Sequence, residues 1–128
     1  MSEINSSFVI ASKRPKELAE FYAKVHKVET LPGISSNHYL VPIANGLNIQ
    51  IYKPSDSTNF QQKARAACLC FQKGSCSKPL SLIKKWCLEL EELGGRIVEA
   101  PKKDFFGAEA WIADPEDNDF LIFVPVLI

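Results

Sequence analysis

The residues from Phe105 to Val126, FFGAEAWIADPEDNDFLIFVPV, predict two β-strands joined by a tight turn. Within this stretch Asp114 precedes Pro115, whose ring fixes φ near the value that a turn requires. The Asp114 carboxylate can also accept hydrogen bonds from nearby backbone N–H groups. The apolar run after Asn118 is then a strand, which completes a closing hairpin.

The residues before this hairpin predict a strand, a helix and a further strand. The apolar run Ala66–Phe71 and the segment Arg96–Ala100 are both typical of strands. Between them, apolar residues at helical spacing follow Pro79 and stop at Gly94-Gly95, which indicates a helix with a glycine cap. The second half of the chain therefore contains one strand, one helix and three strands, the last two strands being Ala108–Ala113 and Phe120–Val126.

The first half has the same order of elements. Phe8–Ser12 predicts a strand, and Pro15–Val25 predicts a helix because its apolar residues recur at i, i+3, i+4 and i+7. The segment Val28–Ile51 alternates short β-prone runs with turn residues and predicts a meander of about three strands, in which Asn45-Gly46 is the strongest turn signal. The polar segment Lys53–Arg65 has no periodicity and indicates a linker.

The two halves also match residue by residue at their ends. Ile49–Pro54, IQIYKP, can be laid over Phe120–Pro125, FLIFVP, and each is the last strand of its half. A single βαβββ unit with one exposed sheet face is too small to be stable alone. The sequence therefore predicts two such units that depend on each other.

This order of elements and the turn from Asp114 to Asn118 resemble the glyoxalase/bleomycin resistance/dioxygenase family, the vicinal oxygen chelate superfamily. The family's usual wording at the closing turn is close to Asp-Pro-Asp-Gly-Asn-x-Ile-Glu-Leu. The resemblance spans essentially the whole chain and implies an α+β fold in which two βαβββ modules form a cupped mixed sheet. It implies a single domain, 1–128, with module one at about 6–54, a linker at about 55–65 and module two at about 66–128.

Metal-using members of the family place four ligands in the cup, usually His or Glu on the first and last strands of each module. Counting back from Phe21-Tyr22, which resembles a Phe-Tyr pair of the family, locates the first of these positions. The four positions in this chain are Ser7, Gln50, Ala66 or Ala67, and Leu121. A transition metal needs three or four lone-pair donors from imidazole, carboxylate or thiolate groups. We therefore expect no metal and no cofactor.

Without a metal, the resemblance implies a concave surface that binds a small organic molecule, in a protein that forms a homodimer. Aromatic side chains on such a surface would suit a planar or apolar ligand. The residues expected to bind it are Ser7, Gln50, Tyr52, Ala67, Phe106, Trp111 and Leu121. The alternative is that these side chains only fill the core between the sheets.

Two further functions stay open at this point. One is a glyoxalase-type lyase or isomerase with a displaced or unrecognised active site, for which His38 and Glu109 are the candidate acid/base groups. The other is a structural or protein-interaction role with a filled cup.

Other reactive residues are expected to be structural. His26 lies near a helix C-terminus, where an imidazolium interacts favourably with the helix dipole. The four cysteines lack the spacing of a zinc site, and we expect free, buried thiols. The acidic residues between Asp114 and Asp119 lack the spacing and glycine of a calcium loop, so we expect a solvated turn.

Composition limits the partners and the location of the protein. Fifteen basic and fifteen acidic residues cancel, so no long-range field favours nucleic acid or an anionic membrane. No apolar run approaches the ~20 residues that a membrane-spanning helix needs. We expect a cytoplasmic protein whose partner is a small organic ligand.

Overall fold

The computed structural model describes residues 6–44, 46–54 and 68–127. The chain divides into two compact units, Met1–Gln61 and Gln62–Ile128, which are described separately below as module one and module two. Most of the predicted linker lies outside the described residues, as do Ala66 and Ala67. In the described part of the chain, no helix has the length and apolar character needed to cross a membrane.

Module one is a four-stranded mixed sheet with one helix. Its elements, in chain order, are β1 (Ser6–Ala11), α1 (Pro15–His26), β2 (Leu31–Pro32), β3 (His38–Ala44) and β4 (Leu47–Tyr52). The strand order in the sheet is β1-β4-β3-β2, with β1 parallel to β4 and the other pairs antiparallel. The predicted helix and meander are confirmed. Of the predicted Asn45-Gly46 turn, Gly46 has φ of +72° and Asn45 lies outside the described residues.

Module two repeats this topology. Its elements are β5 (Cys70–Gln72), α2 (Pro79–Glu92), β6 (Arg96–Asp104), β7 (Gly107–Ala113) and β8 (Asp119–Pro125). The strand order is β5-β8-β7-β6, again with the first strand parallel to the last. The prediction of two βαβββ modules is therefore confirmed. Strand β6 runs four residues beyond the predicted end at Ala100, with irregular pairing to β7 that local sequence patterns do not reveal.

Each helix covers one face of its own sheet. In module one, α1 packs on the face of β3 and β4 that carries the fully buried Val41, Ile49 and Ile51. In module two, α2 packs on the face that carries the buried Ile112 and Ile122. Because neighbouring residues of a strand point to opposite faces, the residues between these point away from the helix.

We call the sheet face that points away from the helix the far face of each module. The far face of module one carries Ser7, Val9, His38, Leu40, Gln50 and Tyr52. The far face of module two carries Cys70, Gln72, Glu109, Trp111, Leu121 and Phe123.

The two helices end in the same hydrogen-bonded motif. At the end of α1 the N–H of Val28 donates to the carbonyl oxygen of Ala23, 2.9 Å away, and Lys27 has φ of +56°. At the end of α2 the N–H of Gly95 donates to the carbonyl oxygen of Leu90 at 2.8 Å, and Gly94 has φ of +112°. This is a Schellman ending, in which a residue with positive φ stops the helix. Lysine occupies in module one the place that glycine occupies in module two.

The turn between β7 and β8 is organised by the buried side chain of Asp114, which is 2% exposed. One carboxylate oxygen accepts the N–H groups of Glu116 at 2.8 Å and Asn118 at 3.0 Å, and the other accepts the Asn118 side-chain amide at 2.9 Å. The predicted role of Asp114 in the turn is confirmed. Asp117 has φ of +65°, at the place where the family wording has glycine, and forms an exposed ion pair with Arg96.

The backbone at Lys27 predicts a reversal of the usual ranking of glycine and alanine in helices. With φ of +56° at this position, Lys27→Gly should be more stable than Lys27→Ala by about 1 kcal/mol, because only glycine adopts this conformation without steric cost. Both variants lose the lysine charge, so the comparison isolates the backbone. Urea unfolding would measure the difference.

The control is the same pair of substitutions at the exposed Lys24, which lies inside α1. There Lys24→Gly should be less stable than Lys24→Ala by about 1 kcal/mol. The same ranking at both positions would contradict the assignment of a left-handed residue to Lys27.

Candidate functional site

Strand β4 brings the polar residues of module one together. Gln50 lies between the buried Ile49 and Ile51, so its side chain must point to the far face. In the sheet, Gln50 is opposite Val9 of β1 and Leu40 of β3. The predicted site residues Gln50 and Tyr52 therefore lie on one face.

A chain of hydrogen bonds connects three of the residues that the sequence singled out. The backbone N–H of Ile34 donates to Nδ1 of His38 at 2.9 Å, so Nδ1 is an acceptor and the imidazole proton is on Nε2. Nε2 of His38 then donates to Oε1 of Gln50 at 2.9 Å. The Gln50 amide donates in turn to Oγ of Ser7 at 2.7 Å. Each hydrogen bond fixes the orientation of the next group. Donation therefore runs in one direction, from the backbone N–H of Ile34 through His38 and Gln50 to Ser7.

The turn before β3 holds the histidine in place. The N–H of Gly33 donates to the carbonyl oxygen of His38 at 2.8 Å. The N–H of His38 donates to the carbonyl oxygen of Ser35 at 3.2 Å. A Cβ atom at position 33 would overlap the His38 imidazole and lie 2.7 Å from the His38 carbonyl oxygen. Glycine is therefore required at position 33 for His38 to occupy this site. The sequence reveals Gly33 only as a turn residue.

The far face of module two is more apolar. Leu121 of β8 lies between Cys70 of β5 and Trp111 of β7, directly opposite each of them. Phe123 lies two residues further along β8, and the ring of Phe106 packs on it with 5.8 Å between centroids. The predicted site residues Trp111, Leu121 and Phe106 are thus on or next to one surface.

Glu109 is an acidic residue of this surface. It lies opposite Phe123, and its Oε1 is 3.8 Å from Nζ of Lys102. Partial burial, and to a lesser extent the neighbouring Cys68 and Glu109, raise the pKa of the Cys70 thiol. At neutral pH this favours the protonated thiol, which is a poor nucleophile.

The strand register identifies the counterpart of Ser7 in module two. Val9 is opposite Gln50 in module one, and Cys70 is opposite Leu121 in module two. If Gln50 and Leu121 are equivalent, as the end strands indicate, then the residue two before Cys70 corresponds to Ser7. That residue is Cys68. Ala67, which the sequence analysis selected, lies outside the described residues, and its role stays a prediction.

The donors at these positions do not fit a divalent metal. The Gln50 amide oxygen already accepts the His38 N–H, Ser7 offers a hydroxyl, and Leu121 offers no lone pair. Across residues 6–44, 46–54 and 68–127, three or more His, Cys, Asp or Glu side chains nowhere come together as a metal site. Ser7, Gln50 and Leu121 therefore do not supply the donors that a divalent metal needs.

Two expectations about reactive groups need correction. His26 ends α1, and its Nδ1 bonds to the Tyr22 carbonyl oxygen at 2.8 Å, but burial lowers its pKa more than this bond raises it, so the neutral imidazole is favoured. The cysteines are free but not all buried: Cys87 is buried, Cys68 and Cys76 are half-buried, and Cys70 is exposed. The error at Cys70 arises because an apolar strand sequence does not show which face the helix covers.

Neither a protein-family model nor a curated protein matches the sequence of this chain. Solved structures do match its fold. A glyoxalase/bleomycin resistance protein/dioxygenase family enzyme from Burkholderia phytofirmans has a TM-score of 0.74 at 17% identity, covering 94% of this chain and 98% of that chain. The fosfomycin resistance protein FosX from Listeria monocytogenes has a TM-score of 0.70 at 20% identity, covering 99% and 97%.

A third similar structure is a glyoxalase/bleomycin resistance protein/dioxygenase from Alicyclobacillus acidocaldarius, with a TM-score of 0.63 at 10% identity, covering 94% of this chain and 89% of that chain. Identities this low show a common fold. That fold is the one that the resemblance in the sequence predicted.

The hydrogen-bond chain predicts a specific effect of Gly33→Ala. The added methyl group should displace the His38 ring, lower the free energy of unfolding by about 1–3 kcal/mol, and break the bond to Gln50. Nitrogen NMR of the imidazole should then lose the signature of a single tautomer protonated at Nε2. The control is Gly74→Ala, because a Cβ at that position meets no atom within 4 Å. An unchanged His38 tautomer in Gly33→Ala would refute the arrangement.

Proposed function

We propose that this protein binds a small organic molecule, without a metal, on the far faces of its sheets. The observation that carries the proposal is the chain of hydrogen bonds from Ile34 through His38 and Gln50 to Ser7. Such a chain fixes the orientation of polar groups before a ligand arrives, which reduces the entropy cost of binding. The fold that this protein has in common with drug-resistance proteins is consistent with the proposal.

The groups of module one are suited to a polar ligand atom. Gln50 uses one amide N–H for Ser7, and within the part of the chain that the structure describes, its second N–H and the Ser7 hydroxyl hydrogen remain to be donated. Two neighbouring donors of fixed orientation suit an acceptor such as a carbonyl, carboxylate or phosphonate oxygen. Ser7 is exposed and Gln50 half-buried, so both can be reached from solvent.

The groups of module two are suited to an apolar or planar surface. Trp111 and Leu121 are directly opposite each other on neighbouring strands, and Phe106 and Phe123 extend the surface along β8. Aromatic side chains offer large flat contact areas at low entropy cost. The far face of module one is therefore suited to a small molecule that carries a hydrogen-bond acceptor, and the far face of module two to an aromatic or other apolar one.

A ligand screen with matched variants tests this proposal. The probes are a library of small aromatic acids and amides, with fosfomycin and bleomycin added because the similar structures include a fosfomycin resistance protein and a bleomycin resistance family enzyme. A compound at a hundred times its Kd should stabilise the protein by about 2.7 kcal/mol, which a thermal shift detects. Its affinity should fall at least tenfold in Gln50→Leu and in Ser7→Ala.

The control variant is Ser81→Ala, which removes an exposed hydroxyl from α2 without touching either far face. It should bind the same compound with unchanged affinity. Finding no binder in the library, or a binder whose affinity is the same in Gln50→Leu as in the original protein, would count against the proposal.

An enzyme of glyoxalase type is the alternative function. The single observation that favours it is that His38 is held in a defined tautomer, as a general acid or base must be. Metal analysis of the purified protein separates the two functions. Stoichiometric zinc, nickel, iron or manganese would favour the enzyme, because the proposed binding mode uses no metal.

We also propose that the protein is a cytoplasmic homodimer. Support for the dimer comes only from the resemblance to a family whose members pair in this way, and the balanced charge of the chain is compatible with the cytoplasm. Sedimentation equilibrium should give twice the chain mass of 14.3 kDa. A monomer at micromolar concentration would exclude a stable dimer.

A further inference from the structure

Two cysteines, Cys68 and Cys70, are two residues apart where β5 of module two begins. Cys68 and Cys70 flank Leu69, whose carbonyl oxygen accepts the N–H of Leu121 at 2.9 Å. This bond continues the pairing of β5 with β8 one residue before β5 begins at Cys70, and in such pairing residues two apart point to the same face. Both thiols are free; Cys70 is exposed and Cys68 is half-buried.

The spacing of these cysteines favours a pair of thiolates bridged by a metal ion over a disulfide. Residues i and i+2 of a strand have Cα atoms about 6.6 Å apart, at the upper end of the range of about 4.4–6.8 Å for disulfides. A metal ion between the sulfur atoms lengthens the bridge. Two bonds of about 2.3 Å each separate the sulfur atoms by up to ~4.6 Å, compared with ~2.05 Å in a disulfide.

The number and kind of donors select the ion. Zinc requires four ligands, and no group of three or more His, Cys, Asp or Glu donors forms a metal site among the described residues. Thiolates are soft ligands that select monovalent copper, which is stable with two ligands. We propose that Cys68 and Cys70 together bind one cuprous ion as a two-coordinate bis-thiolate. The proposal does not depend on the ligand-binding function proposed above.

Binding releases protons and transfers no electrons. Two thiols and one Cu(I) give one Cu(I) bis-thiolate with a net charge of −1 and two protons released to solvent. Partial burial, Cys68 and Glu109 raise the pKa of the Cys70 thiol, so the ion has to displace a proton that the site otherwise retains. Nζ of Lys102 lies 3.8 Å from Oε1 of Glu109.

A titration with Cu(I) under anaerobic conditions tests the proposal. The probe is Cu(I) supplied as its acetonitrile complex, in competition with the chromogenic chelator bicinchoninate. The 128-residue chain should withdraw one Cu(I) from the chelator. Cys68→Ser and Cys70→Ser should each weaken this binding at least a hundredfold, because a single thiolate cannot complete the two-coordinate site.

Cys76→Ser is the control, because it removes a half-buried thiol that lies outside the pair. It should bind Cu(I) as tightly as the original protein. Circular dichroism checks that each variant is folded, and Cys68→Ala and Cys70→Ala replace any serine variant that is not. Failure to withdraw Cu(I), full binding by either single variant, loss of binding in Cys76→Ser, or one ion per two chains would each overturn the proposal.

Discussion

The alternation of β4 and β8 is the constraint on which the candidate site depends. In each strand, buried residues alternate with more exposed ones. The buried residues are Ile49 and Ile51 in β4, and Phe120 and Ile122 in β8. A shift of one residue would place all the buried side chains on the wrong face, so the helix that covers them fixes the register. Gln50 and Leu121 reach the far faces because their neighbours are buried.

The same topology in the two modules makes their differences informative. Equivalent positions hold Gln50 and Leu121 on the last strands, Ser7 and Cys68 on the first, and Lys27 and Gly94 at the helix ends. The pair at the helix ends differs in the steric cost of a positive φ, which lysine has and glycine lacks, and in the lysine side chain. The pairs on the strands differ in hydrogen-bonding capacity, which makes the far face of module one polar and that of module two mainly apolar.

Much of the fold could be predicted from the sequence because it rests on local signals. Helical periodicity after Pro15 and Pro79, the glycine pair that ends α2 and the Asp114 turn all involve residues within a few positions of each other. The equivalence of the last strands follows from their matching alternation. These signals are sufficient for two βαβββ modules and for the face on which Gln50 and Leu121 lie.

The remaining features depend on contacts between residues distant in the chain. That Gln50 bonds Ser7, 43 positions earlier, and that Gly33 must lack a side chain because of His38, follow only from the assembled sheet. The exposure of Cys70 and the correspondence of Ser7 with Cys68 require the parallel pairing of β5 with β8. In an isolated apolar strand, the sequence cannot distinguish the face under the helix from the far face.

The polar chain of module one also restricts what can cover it. A ligand that excludes water from Gln50 and Ser7 must replace the hydrogen bonds of their remaining N–H and O–H groups, because each buried, unsatisfied group costs about 1–3 kcal/mol. A pure hydrocarbon would leave both groups unsatisfied and would lose roughly a hundredfold or more in affinity at this surface. The far face of module two imposes no such requirement around Leu121 and Phe123. A ligand on module one would therefore need an acceptor group, because His38 fixes the orientation of the Gln50 amide.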